Sequence, residues 1–594
     1  MRAVTTLLAC LVALPLAFAG PLPRASNTTT SVPTAIIKPK TASGTPITVT
    51  GVNEYGLDVY LGIPFAEPPV GDLRFAHPQP KVYSGNVTAT TPPPACLQDA
   101  GDLQGSYGIS EDCLTLNILG PQGVAGTNAK LPVMVWIYGG GFTSGTGTTY
   151  NGPYLNTYAA STDRPFILVT FNYRLGIFGW GNGAEMAANG AANLALRDQI
   201  LALQWVKENI KAFGGNPNKV TVFGESAGAI SISCLMLNQS TDLFHGAIMM
   251  SGAQSTSPLG PTADVWQGPY DMVAQLTGCK NASTPITAAG NQSTFDCLKK
   301  VPAETLLNAT ITTKNNLLYA LGFVWGPSVD GDIIPGAPWK LLEEGKFARI
   351  PFISGNNVDE GTLFVPTYLN TTQIPVSTLL DFLYPSPLNA SIADEVTEAY
   401  PNVPALGAPF GTGNETFGLD PGWKQLTAII TDGAFMSRRR WFLRQANKHG
   451  FKKTWSYQWD GKTPGDPAYY GATHGRDVYY SFGAISTATN YTVADVSLSN
   501  AMMNYWINFA YYQDPNGKNI KKNKNCKSSN STTAMTVLNQ TSWAPHSYPK
   551  NKNSMYLSET NVSTIQDDFR EEQMSVFFQS NMSQALFYKR DGEK

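Results

Sequence analysis

The stretch Thr221-Val222-Phe223-Gly224-Glu225-Ser226-Ala227-Gly228 sets a serine between two glycines, after an apolar run and before a helix-forming segment. A serine acts as a nucleophile when a tight strand-to-helix turn throws its Oγ clear of the backbone, and Gly224 and Gly228 remove the side chains that would collide in such a turn. The bare G-x-S-x-G pattern also fits an ordinary turn serine; its position between strand and helix singles out Ser226. A second stretch, Trp136-Ile137-Tyr138-Gly139-Gly140-Gly141-Phe142, runs a strand into glycines. Acyl transfer builds negative charge on a carbonyl oxygen, and backbone without side chains lets N–H groups converge on it, each worth about 2.7–4 kcal/mol in the transition state. Gly140 and Gly141, with the N–H of Ala227, are the expected donors. A flexible loop or a phosphate cradle is the rival reading, but a cradle wants a lysine or dinucleotide spacing, and Phe142-Thr143-Ser144-Gly145 offers neither.

A base must take the serine proton, and the chain has five histidines, His77, His245, His449, His474 and His546. His77 precedes a proline near the N-terminus, His449 ends a basic helix-like stretch, and His245 lies just before a strand; such positions are more often structural or solvated. His474 sits in Gly471-Ala472-Thr473-His474-Gly475, a glycine-flanked loop after a strand in the last quarter of the chain. Loops at the carboxyl ends of parallel strands are where a base is expected. The group that orients the imidazole should follow a strand between Ser226 and His474 if the chain order is serine, acid, histidine. Phe352 to Gly361 supplies a strand, a turn and two adjacent carboxylates, Asp359 and Glu360, between which periodicity does not choose.

Positioning these groups requires a buried sheet. Apolar β-rich runs occur at Leu131 to Tyr138, Phe166 to Tyr173, Val220 to Phe223, Ala247 to Met250, Pro351 to Ser354 and Thr454 to Trp459, with helical patterns such as Ala192 to Phe213 between several of them. That alternation predicts βα units around a large, mostly parallel central sheet flanked by helices, an α/β fold with long excursions, as one domain over 34–594 rather than the four that length alone would give.

The N-terminus predicts export. Arg2 precedes an apolar stretch from Leu7 to Phe18, and Ala17-Phe18-Ala19 offers a cleavage site, so residues 1–19 read as a signal peptide and 20–33 as a flexible lead. Charged residues are only 14% of the chain, against about 25% as usual, leaving Ser, Thr, Asn and Gly to cover the surface. Asn-X-Ser/Thr acceptors at Asn27, Asn86, Asn238, Asn281, Asn308, Asn370, Asn414, Asn490, Asn530 and Asn561 predict a secreted, extracellular glycoprotein. A net charge of −2 gives no reason to expect nucleic acid, and no later stretch is apolar enough for a membrane anchor. Of seven cysteines, Cys10 leaves with the signal; Cys96 with Cys113 and Cys279 with Cys297 are close enough to close small loops, each worth on the order of 3 kcal/mol. Cys234, in an apolar run, reads as a buried free thiol, and Cys526 falls in a Lys/Asn-rich solvated loop. The few His and Cys show no ligand spacing, so no metal or cofactor is expected.

Taken together, the motifs resemble the type-B carboxylesterase and lipase family, which also contains the cholinesterases and has the α/β-hydrolase fold. The resemblance covers most of the mature chain: Tyr60 to Ala66, Arg74-Phe75, Ser110 to Asn117, Gly139 to Phe142, Asn172-Tyr173-Arg174, Asp198-Gln199, Phe213-Gly214-Gly215, the Ser226 turn, Asp359-Glu360-Gly361 and Tyr505-Trp506. It implies a serine esterase with a Ser226, Glu360 and His474 triad, choosing Glu360 over Asp359, so that Glu360→Gln should cripple the enzyme and Asp359→Asn should be mild. It also implies the disulfides Cys96–Cys113 and Cys279–Cys297 and the ion pairs Arg74–Glu111 and Arg174–Asp198. The secreted fungal lipases and esterases are the nearest in character. Two departures stand out: Gly475-Arg476-Asp477 follows His474, and the Cys96 to Cys113 segment lacks the tryptophan that holds a cationic substrate in cholinesterases.

In lipases of that family the same segment is a long flap with an amphipathic helix. Here Gly101, Gly105 and Gly108 interrupt any helix, and Leu97, Leu103, Tyr107 and Ile109 make no sustained apolar stripe. The expectation is a soluble-type esterase for short to medium chain or aromatic esters. The alternatives are a true lipase or sterol esterase with a hydrophobic rim around Leu363 to Leu388, and an inactive adhesion module, which the filled triad positions disfavour.

Overall fold

The computed structural model describes residues 32–39, 43–99, 108–150, 152–238, 242–260, 266–280, 293–316, 323–371, 374–383, 390–487, 490–517 and 541–579. The signal segment 1–19, most of the 20–33 lead, Cys526, the sequons at Asn27, Asn281 and Asn530, and Leu103 and Tyr107 lie outside the described residues.

Eleven strands form one sheet: β1 Val52–Glu54, β2 Leu57–Pro64, β3 Thr115–Pro121, β4 Leu131–Ile137, β5 Ile167–Phe171, β6 Gly215–Glu225, β7 Gly246–Met250, β8 Phe352–Asn357, β9 Thr454–Trp459, β10 Asn553–Leu557 and β11 Val562–Gln566. Their order across the sheet is β11-β10-β9-β8-β7-β6-β4-β5-β3-β2-β1. From β5 to β10 the pairs are parallel, while β11 at one edge and β3, β2 and β1 at the other pair antiparallel. Parallel strands are covered on both faces and so read as unbroken apolar runs. Leu-Pro-Val-Met-Val-Trp-Ile in β4 and Ile-Leu-Val-Thr-Phe in β5 do so and are buried, Leu131 alone being partly exposed. All six expected runs are strands, and Thr454–Trp459 matches to the residue.

Helices α1 Leu194–Asn209, α2 Ala227–Leu235, α4 Ser437–Lys448, α5 Asp477–Phe482 and α6 Val493–Tyr512 cover the sheet, while α3 Pro421–Ile430 belongs to a second apolar cluster with Val365, Leu380 and Phe435. Every residue of α2 is buried, which explains why its stretch is small and apolar all round, its two serines bonding back to the Ala227 and Ile230 carbonyls. A capping box of Thr492 and Asp495 starts α6, whose Trp506 and Phe509 rings pack on Tyr457 and Trp455 of β9 at 5.5 and 5.8 Å. Asp420 caps α3 by accepting the N–H of Gly422 at 2.8 Å, and a wider π-helical turn, Thr431–Met436, joins α3 to α4.

The two expected disulfides are formed, and Cys234 is a buried free thiol in α2. The ion pairs Arg74–Glu111 and Arg174–Asp198 close at 2.6 and 2.7 Å, the second fully enclosed. Among the described residues no helix is long and apolar enough to cross a membrane. The asparagines of the sequons at 86, 308, 370, 414, 490 and 561 are exposed.

Candidate active site

Ser226 occupies the junction of β6 and α2 with φ 53° and ψ −124°, a left-handed backbone that costs a non-glycine residue on the order of 1–3 kcal/mol. Its surroundings enforce the turn: the Ser226 N–H donates to the Met250 carbonyl at 2.9 Å, and its own carbonyl accepts from Ile230 at 2.9 Å. The flanking glycines are needed for clearance. A Cβ at Gly228 would lie 1.9 Å, and one at Gly224 2.6 Å, from the Ile137 carbonyl oxygen at the end of β4. The side chain of Ser226 therefore stands at the carboxyl end of the central strands, where α/β sheets place their sites.

The glycine run leaves β4 directly beside this turn, since a Cβ on Gly139 would come within 2.9 Å of Ser226 Cβ. Gly140 and Gly141 take φ of 105° and 60°, and the loop's turn bonds run from the N–H groups of Thr143 and Ser144 to the Gly140 carbonyl. Ala227 is the first residue of α2, so its N–H has no intrahelical acceptor. Phe142 anchors the loop against Trp180 at 4.6 Å.

Glu360 opens a short turn after β8, and His474 lies in the loop between β9 and α5. The structure brings them together: Glu360 Oε2 is 2.5 Å from His474 Nδ1. Glu360 Oε1 accepts the Asn357 N–H at 2.8 Å and Asn356 Nδ2 at 3.1 Å, so the carboxylate is fixed at both oxygens. Phe364 and Phe435 pack on the imidazole with ring centroids 4.9 and 5.0 Å away, and Phe435 is delivered there by the π-helical turn. Asp359 points elsewhere, to the N–H groups of Phe410 and Ala472. The other four histidines are tied down away from this centre, His77 to the Gly190 carbonyl, His245 to the Val220 N–H, His449 to the Glu343 carbonyl and His546 to Asn447.

On the opposite side of the ring, Glu225 Oε1 approaches His474 Nε2 to 3.0 Å, without the alignment of a hydrogen bond. Burial pushes the Glu225 carboxyl up to about 8, with the His474 cation opposing and Asp477 and Glu360 adding. For His474 burial works downward, but the Glu225 and Glu360 carboxylates outweigh it and lift the imidazole to about 9. The two shifts are not independent, because a proton on Glu225 removes the charge that lifts His474. Asp477 completes the group: burial raises it to about 7, while the Tyr457 hydroxyl donates to it at 2.7 Å and holds it down.

A buried serine, an imidazole and a carboxylate gathered beside the glycine run and the N-terminus of α2 can carry out nucleophilic acyl transfer. A sequence profile of the Carboxylesterase family matches residues 41–577. The chain belongs to the carboxylesterase family. It is a carboxylic ester hydrolase with the α/β-hydrolase fold. It is 36% identical over 522 residues to Lipase 2 of Geotrichum candidum, covering 80% of this chain and 87% of that one. It is 35% identical over 538 residues to Secreted lipase 1 of Botryotinia fuckeliana, covering 84% and 89%. Among solved structures, the fold is similar to that of Aspergillus niger EstA with a TM-score of 0.74, covering 91% of this chain and 97% of that one at 24% identity.

Sequence reasoning singled out Ser226, His474 and Glu360 as candidates but gave no part to Glu225, Asp477, Phe364 or Phe435. A signal existed for Glu225, because the residue before a nucleophile on the same strand end cannot avoid the site. The Phe435 position was not legible, since the π-helical turn that aims it leaves no periodicity to read.

Proposed function

We propose that Ser226 attacks the ester carbonyl while His474 takes its proton through Nε2, with Glu360 holding the ring and the N–H groups of Gly140, Gly141 and Ala227 receiving the oxyanion. An acyl-enzyme forms, the alcohol leaves with the proton from His474, and water deprotonated by His474 releases the acid. The observation that carries this reading is the 2.5 Å contact of Glu360 with His474 Nδ1, beside the strained Ser226 turn. Its direct test is the serine variant argued in the Discussion. The same reading includes export as a glycoprotein, which a mobility shift on enzymatic deglycosylation of the secreted chain would test.

For substrate, we infer short to medium chain or aromatic esters. Support comes from the described part of the Cys96–Cys113 loop, which is fastened rather than free: the buried Gln98 amide exchanges two 2.8 Å bonds with the Gly145 backbone. That tie holds the base of the loop, next to Cys96, against the glycine run. The reading as a lipase has its own support in the names of the fungal relatives and in Tyr368 and Ile374, exposed on the 363–388 excursion. Raising tributyrin through its solubility limit, beside p-nitrophenyl esters from acetate to palmitate, separates the two. A smooth saturating curve and a short-chain optimum are expected; a jump in rate when emulsion appears would establish the lipase.

Glu225 enters this mechanism as the carboxyl facing Nε2, which when ionised favours the imidazolium formed during attack. Removing the charge in Glu225→Gln lowers the His474 pKa, so the acid limb of kcat/KM is expected to move to lower pH. The plateau should fall with it, by tenfold for each unit that the pKa drops. An unmoved limb would mean that Glu225 is uncharged in the free enzyme.

A further inference from the structure

Asp359 lies next to the proposed acid and is almost wholly buried, with no contact to His474 among its hydrogen bonds. Its Oδ2 accepts the N–H of Ala472 at 2.9 Å, and its own N–H donates back to the Ala472 carbonyl at 3.0 Å. Its Oδ1 accepts the N–H of Phe410 at 2.8 Å. Ala472 is two residues before His474, so this double tie joins the turn carrying Glu360 to the loop carrying His474. The approach is close enough to dictate a neighbour: a Cβ on Gly471 would fall 2.3 Å from Asp359 Oδ2, and Gly471 takes φ 57°. Asn357 adds a parallel tie, its Nδ2 donating to the Thr473 carbonyl at 2.7 Å.

A carboxylate is an expensive group to bury, and here burial lifts it to about 7, against the pull of the Phe410 and Ala472 amides and of Arg570, with Asp460 adding to the rise. Lys424, whose own ammonium is bonded to Thr412 and to the Gly413 and Glu415 carbonyls, also feels this charge. An apolar residue would avoid that cost but would leave two N–H groups unpaired in the interior. We propose that Asp359 is a positioning residue, whose paired acceptor oxygens hold the His474 loop in register with the Glu360 turn so that the short Glu360–His474 bond can form. The inference rests on Glu360 as the acid, and it replaces the mild outcome expected for Asp359→Asn from sequence alone.

Asparagine keeps the shape but has one acceptor oxygen, so its amino group meets one of the two N–H donors. With a p-nitrophenyl butyrate assay, Asp359→Asn is expected to lower kcat about ten- to a hundredfold, the scale of a small misplacement of catalytic groups, with KM within about twofold. Organophosphate should still label every Ser226. The low-field proton resonance of the His474 Nδ1–H should move or broaden, which a general loss of stability would not cause in protein that remains folded by circular dichroism. Asp359→Ala, which removes both acceptors without adding a donor, should show the same split with a larger loss, and it serves if the asparagine variant does not fold. Unchanged kcat and an unmoved resonance in either variant would overturn the proposal. So would a variant as inactive as Glu360→Gln with the resonance gone, because Asp359 would then be the acid. Full activity in Glu360→Gln would instead remove the triad reading itself.

Discussion

Replacing Ser226 by alanine is expected to remove hydrolysis by a factor of at least about 10⁴ and to abolish labelling by an organophosphate, while leaving a folded protein. Alanine keeps a Cβ and so tolerates the left-handed turn no better and no worse than serine, and the bonds that enforce that turn are made by the backbone of Ser226, not by its hydroxyl. What is lost is the attacking oxygen. The Gly140, Gly141 and Ala227 N–H groups remain, so any residual rate belongs to oxyanion binding with water as nucleophile. Stoichiometry with a phosphonate, followed by intact mass, checks this: one adduct on the parent and none on the variant. A phosphonylated Ser226→Ala would place the nucleophile elsewhere.

Why the serine was legible while its supporting cast was not follows from the range of the interactions. The Ser226 turn is a local object: strand, glycine, serine, glycine, helix, with each glycine required by a carbonyl less than 3 Å away on β4. The parallel strands were legible for the same reason, since burial on both faces writes itself into a run such as Leu131–Ile137. The antiparallel strands β1 to β3 and the pair β10 and β11 were not read: β1, β10 and β11 are short or mixed in burial, and Gly62 with Pro64 in β2 and Asn117, Gly120 and Pro121 in β3 interrupt the apolar pattern. His474 was found from its glycine-flanked loop, but Glu360 could be chosen over Asp359 only by resemblance, because adjacent carboxylates in one turn differ in where they point rather than in pattern. Geometry separates them: one meets the imidazole, the other the backbone of the loop that carries it. Phe364 and Phe435 lie 110 and 39 residues from His474 in the chain, and nothing local announces that they enclose its ring.

Glu360→Gln is expected to lower kcat about 10³- to 10⁴-fold although glutamine is nearly isosteric, and the reason lies in how the site would choose the amide's orientation. Glu360 Oε1 receives two donors, the Asn357 N–H and Asn356 Nδ2, so the glutamine oxygen is held at that end. Its NH₂ group must then face His474 Nδ1, at the place where a carboxylate oxygen now stands 2.5 Å away. A donor opposite Nδ1 requires that nitrogen to accept, which leaves the ring proton on Nε2. In that tautomer Nε2 cannot take the Ser226 proton, and the imidazolium formed in the transition state also loses the charge that would stabilise it. Raising the pH does not restore the rate, because deprotonating the imidazole still leaves its remaining proton on the wrong nitrogen. The variant should therefore show a low kcat across the pH range, retain ester binding with KM little changed, and lose the low-field proton resonance of the parent. Glu360→Asp keeps the charge but shortens the reach by one methylene, so partial activity is expected there with the resonance shifted rather than absent. A Glu360→Gln enzyme within tenfold of the parent, measured with p-nitrophenyl butyrate from acid to alkaline pH, would mean that the imidazole is oriented by some other group.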